Sequence, residues 1–142
     1  MILDNSLVLS AAQAVTSTAY STNVIDMGPL APFGYSGASR NIPILLDVET
    51  TFTAAGAATM TIGVLSGTSA TAGSGTVVTH CVSPAIPVAS LTAGADINDL
   101  FRPSIPVDCG RYVYLQYTIA TGPMTAGTIT AKVAGTVPNN KN

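Results

Sequence analysis

The chain's only histidine, His80, stands beside Cys81, and a cysteine next to a histidine suggests a nucleophile and its base. Both belong to an extended run from Thr76 to Val82, and adjacent side chains of a strand point to opposite faces. With no second histidine available, His80 is read as an ordinary strand residue. Asp47 and Glu49, two apart in another run, project from one face, as carboxylates that bind calcium or hydrolyse a glycosidic bond would. A strand with its other face in the core shows such residues to solvent, which is the preferred reading. Asp96, Asn98 and Asp99 resemble a fragment of a calcium loop but lack its glycine and bidentate glutamate, so they are read as turn formers. Cys81 and Cys109 have no metal-binding spacing and are expected to be separately packed thiols, with a bridge between them left open. No GxSxG elbow, Walker loop or GxGxxG occurs. The expectation is a protein without catalytic residues, metal or cofactor, and not an enzyme.

Aromatic residues offer binding chemistry instead. Tyr112 and Tyr114 share a strand face and Tyr117 lies opposite, an arrangement that suits packing better than a sugar-stacking platform. Phe33 and Tyr35, with Arg40 close behind, fall in an irregular stretch, where aromatics and arginine are the usual anchors of protein interfaces. The opposite reading, in which the loop folds back and buries Phe33, stays open.

These residues need strands to position them, and the chain is patterned accordingly. From Ile44 to Phe52 the side chains of Ile44, Leu46, Val48 and Phe52 fall on one face, and those of Asp47, Glu49 and Thr51 on the other. After the turn Ala54-Ala55-Gly56, Met60, Ile62 and Val64 alternate again, which predicts a hairpin of the two runs. Gly67 to Gly75 reads as a flexible loop, Thr76 to Val82 as a strand, and Ile86 to Leu91 as a short edge strand marked by Pro87. Asn98 to Arg102 is expected to pair briefly before Pro103 and Pro106. Arg111 to Ala120 is apolar on both faces and is placed centrally in a sheet. A turn at 121–127 leads into a last strand, Thr128 to Ala134. In the N-terminal third, Ala14 to Ala19 and Thr22 to Met27 read as two strands behind an apolar N-terminal arm (residues 1–13). The stretch 28–41, with Pro29, Pro32, Gly34 and Gly37, is a long loop, and 137–142 a polar tail. About eight strands at short spacing imply a single all-β domain, an antiparallel jelly-roll-like β-sandwich.

Composition narrows the partners. Five basic residues in 142, a net charge of −2 and 8% charged residues leave no phosphate-binding stripe, so nucleic acid is not expected as a partner. No run of about 18 apolar residues occurs, so no membrane span is expected, and the N-terminus lacks the basic region of a secretory signal. No Asp, Glu, Lys or Arg falls between Thr50 and Ala95. Charge keeps copies apart, so a surface this weakly charged favours association with other subunits.

Four segments together carry a likeness. They are Leu7-Val8-Leu9-Ser10 with Ala12-Gln13-Ala14, Ser21 through Gly28, Ala54 through Ile62, and Tyr117 through Gly127. In order and spacing they resemble the capsid cement (decoration) protein family of tailed bacteriophages typified by a Bordetella podophage. The stretches 28–41 and 81–84 depart most from that pattern. The resemblance implies a jelly-roll-like β fold, homodimers on the outside of the phage head, and contacts with the major capsid protein. It also implies a virion protein made in the host cytoplasm. Ile2, Leu3 and Leu7 of the arm, with Phe33, Tyr35 and Arg40 of the loop, are the expected interface residues. A head-fibre or adhesin module that binds a glycan or receptor through a similar sandwich is the alternative.

Overall fold

The structure, a computed structural model, describes residues 7–28 and 42–133. Alternating apolar residues and β-branched side chains produce ten strands: β1 (Val8–Ala14), β2 (Ala19–Tyr20), β3 (Ile25–Asp26), β4 (Ile42–Ala54), β5 (Thr59–Gly67), β6 (Val77–Val82), β7 (Ile86–Pro87), β8 (Ser104–Ile105), β9 (Tyr112–Ala120) and β10 (Met124–Val133). A 3-10 turn covers Val88–Ser90, and the described residues contain no α-helix.

The strands form two antiparallel sheets that face each other as a sandwich. One sheet has the order β1-β10-β4-β8 and the other β2-β9-β5-β6, with β3 also beside β9 and β7 also beside β5. If β2 with β3, and β6 with β7, are each taken as one interrupted strand, the chain makes eight strands. Every step between them crosses to the opposite sheet except β5 to β6, which is the strand order of a jelly roll.

The core lies between the inner faces. Ile44, Leu46, Val48 and Phe52 of β4, with Ile129 and Ala131 of β10, meet Met60, Ile62 and Val64 of β5 and Val113, Leu115 and Tyr117 of β9. Each of the large apolar side chains contributes about 1.5–3 kcal/mol relative to exposure. Leu91 and Ile97, from the segment after the 3-10 turn, close the core.

Several sequence expectations give way here. β4 and β5 do not form a hairpin: β4 pairs with β10 and β8, whereas β5 pairs with β9, β6 and β7. Alternation shows which face of a strand is apolar, and two strands facing across a core satisfy it as well as two side by side. Pairing near Asn98 is displaced to Ser104–Ile105, between Pro103 and Pro106, where only a two-residue edge strand fits. The expected arm, residues 1–13, becomes sheet from Val8 onward. β1 is bulged between Ser10 and Gln13, with Ala12 at a φ of 43°, and the bulge breaks the alternation that marks a strand. The two N-terminal strands shrink to the pairs Ala19–Tyr20 and Ile25–Asp26 on β9. β10 starts at Met124, inside the expected turn.

Candidate interface surfaces

Of the six expected contact residues, Ile2, Leu3, Phe33, Tyr35 and Arg40 lie outside the described residues. Leu7 is partly buried and packs against the core just before β1.

A charged clamp holds the chain at Asp26 to Gly28. Arg111 donates from Nε to Asp26 Oδ1 and from Nη2 to Oδ2, both at 2.9 Å, the bidentate geometry that suits a planar guanidinium. The guanidinium carbon also lies 5.0 Å from the centre of the Tyr112 ring. Asp26 Oδ1 accepts the Gly28 N–H at 2.8 Å, and the Met27 N–H donates to the Arg111 carbonyl at 2.7 Å. Arg111, and then the Gly28 N–H, hold the Asp26 carboxyl at about 2, below its usual 3.8. The Arg111 value is raised in return by Asp26. Ile42, the first described residue after Gly28, pairs with Ile105.

A second polar network closes one flank of the sandwich. Ser10 donates to Gln13 Oε1 at 2.7 Å, so the contact at 2.9 Å between Ser10 Oγ and Tyr117 takes its hydrogen from the tyrosine. Burial pushes the Tyr117 hydroxyl up to about 12, against the lowering effect of Ser10. Gln13 continues the chain, donating to the Tyr20 carbonyl and accepting the Thr22 N–H. Ser21 Oγ accepts the Leu115 N–H and donates to the Asn23 carbonyl, and Asn23 donates to the carbonyls of Leu9 and Val8. Two segments that carry the family likeness, 7–14 and 21–28, are thus the two sides of one seam.

The residues weighed for chemistry fall into structural places. His80 Nε2 lies 2.7 Å from Ser66 Oγ, which also accepts the Gly110 N–H at 2.8 Å. Ser66 is buried, and the knot ties β5 and β6 to the segment before β9. Sequence reasoning missed Ser66, because nothing local marks a serine 14 residues from its partner. Cys81 and Cys109 are free thiols, and burial, then Asp108, pushes the Cys109 value up. Asp47 and Glu49 are exposed on β4. Asn98 accepts the Leu46 N–H at 3.0 Å and donates to the Leu46 carbonyl at 2.8 Å, imitating a neighbouring strand. Among the described residues, no three His, Cys, Asp or Glu side chains gather as a metal site. No helix among them is long and apolar enough to cross a membrane.

The sheets and the seam described above fall within residues 8–133, and the model of the Bbp16 family matches residues 9–133. The chain belongs to the Bbp16 family. The family name points to a Bordetella phage protein. A comparison with curated proteins finds no match. In this Bbp16 chain the matched stretch takes in both sheets and the clamp.

Proposed function

We propose that this Bbp16 chain is a structural virion protein, a cement that binds the outside of a phage head and stabilises contacts between major capsid protein capsomers. The family match over residues 9–133 carries this reading. The fold supports it, since jelly rolls are a common architecture of capsid proteins. So does the lack of charge between Thr50 and Ala95, which suits a surface that ends against other subunits. A cement adds buried area, typically ~1,200–2,000 Å² for a specific patch, and repetition over the shell multiplies each weak link. The role needs no catalysis and no cofactor. The capsid-facing contacts are assigned to Ile2, Leu3 and Leu7 and to Phe33, Tyr35 and Arg40.

Quantitative mass spectrometry of purified virions tests the role. Abundance near that of the major capsid protein is expected. A few copies per particle would point to a head fibre or adhesin, and absence from virions would overturn the virion role.

A further inference from the structure

A side chain on the outward face of a sandwich sheet normally meets water, yet β9 and β5 each bury a large one there. Tyr114 is fully buried and Leu65 is 4% exposed, and the two are cross-strand partners. Neither belongs to the core cluster, which takes Val113, Leu115 and Tyr117 from β9 and Met60, Ile62 and Val64 from β5. Side chains alternate along a strand, so Tyr114 and Leu65 lie on the other side of the sheet. Two glycines on that side of β5 leave them room. A Cβ at Gly63 would lie 3.1 Å from Leu65 Cδ1, and one at Gly67 would lie 3.4 Å from the Tyr114 hydroxyl.

The cover over this patch is light. Tyr20, from the two-residue strand β2, sets its ring edge-on to Tyr114, with 5.6 Å between ring centres. Gly73, in the loop 68–76 between β5 and β6, backs Tyr20. Its φ is +78°, and a Cβ there would lie 2.6 Å from Tyr20 Cε2. The hydrogen bonds of this loop are few and long. Thr68 N–H donates to Thr76 O at 3.2 Å, Thr76 N–H to Thr68 Oγ1 at 3.1 Å, and Ser74 N–H to Thr71 O at 3.1 Å. Ser69 and Ala72 are half-buried, and the other residues of 68–76 are exposed. Beneath the cover, the buried Tyr114 hydroxyl has no hydrogen-bond partner among the described residues. A buried hydroxyl without a partner works against the closed arrangement, because opening returns it to water.

We infer that loop 68–76 and the Tyr20 ring form a strap that opens locally, uncovering Tyr114 and Leu65 while both sheets and the core stay intact. Two opposed terms set its balance. Burial of Leu65 and of the tyrosine rings favours the closed strap. The unpartnered hydroxyl and the backbone freedom of a loop containing Gly73 and Gly75 favour the open one. Segments with few buried contacts and exposed hydrogen bonds are the ones that open at the lowest free energy. Opening turns only the ring of Tyr20, and β2 keeps its backbone pairing with β9. The outward face of this sheet therefore has two forms, one covered and one that shows an aromatic and an aliphatic side chain. The strap does not depend on the cement role.

Nitration of the full chain by tetranitromethane under native conditions tests it, with initial rates at each tyrosine read by peptide mass spectrometry. Tyr117 is the internal control, because it is also fully buried on β9 but lies in the core. Local opening lets Tyr114 react at least about tenfold faster than Tyr117, which waits for global unfolding. Equal rates would mean that nothing short of global unfolding exposes Tyr114, and would overturn the inference. Gly73→Ala, strained at its φ and crowded against Tyr20, is expected to raise the Tyr114 rate at least about tenfold and to leave Tyr117 unchanged. An unchanged Tyr114 rate would take the loop out of the cover and overturn the strap. A rise shared equally by Tyr117 would mean that the loop holds the whole sandwich, and would overturn a local opening.

Discussion

At the scale of single residues, the Asp26–Arg111 clamp and the glycine under Phe52 give the clearest consequences. Because Arg111 holds the Asp26 carboxyl at about 2 instead of 3.8, the folded state binds fewer protons there than the unfolded one. The clamp's contribution is therefore whole above 3.8 and is lost as pH falls toward 2. Comparing thermal midpoints of wild type and Asp26→Asn across acid pH should show a gap that closes over that window. Both side chains are nearly half exposed, so the gap is expected to be small and to shrink with salt. Gly127 is far less forgiving. Its φ is +131°, and a Cβ there would lie 2.2 Å from Phe52 Cδ1. Gly127→Ala should cost about 3 kcal/mol, from backbone strain and overpacking together, measured by urea denaturation. A loss below half of that would mean the Phe52 ring moves aside freely.

At the scale of elements, the long strands β4, β5 and β9 were legible because their period-two pattern is strong and each has a continuous inner face. Their partners were not. The same Ile44–Phe52 and Met60–Val64 pattern that suggested a hairpin serves two strands in opposite sheets, and only the global strand order separates the cases. β1 was misread because a bulge at Ala12 interrupts its alternation, and the start of β10 because glycine and proline near residue 123 imitate a longer turn. The clamp joins Asp26 to Arg111 and the knot joins Ser66 to His80, and neither pairing leaves a local mark. The edge of β4 supplies an element-level prediction. Asn98→Ala removes both bonds to the buried Leu46 backbone and should destabilise the fold by about 2 kcal/mol, measured by urea denaturation. An unchanged midpoint would mean that water replaces the amide. The arm needs a shorter truncation than the sequence suggests. Deleting residues 1–6 leaves β1 whole and tests their head contact, whereas deleting 1–13 removes the strand that carries buried Leu9 and Ser10.

At the scale of the whole molecule, one core is shared by both sheets, so neither sheet keeps its apolar face covered without the other. Unfolding should be a single transition. The chain has no tryptophan, and its buried Tyr114 and Tyr117 report on opposite faces of β9. Tyrosine fluorescence and far-UV circular dichroism are expected to give coincident denaturation curves, and separated curves would show that the sheets come apart in steps.

The pairing of β1 with β10 joins Val8 to Lys132, near opposite ends of the described chain. That seam cannot close until β10 has been made, so a nascent chain that has not reached β10 lacks the partner of β1. Leu9 waits for β10, and so do the β4 residues that β10 must flank. The fold therefore completes through a loop closure nearly as long as the described chain, and slowly for its size. Until then its uncharged strands are exposed to every other nascent copy. Abundant synthesis of such a chain makes the time between synthesis of β10 and closure of the seam, more than the strength of the finished sandwich, the point at which chaperones and low temperature would act on yield.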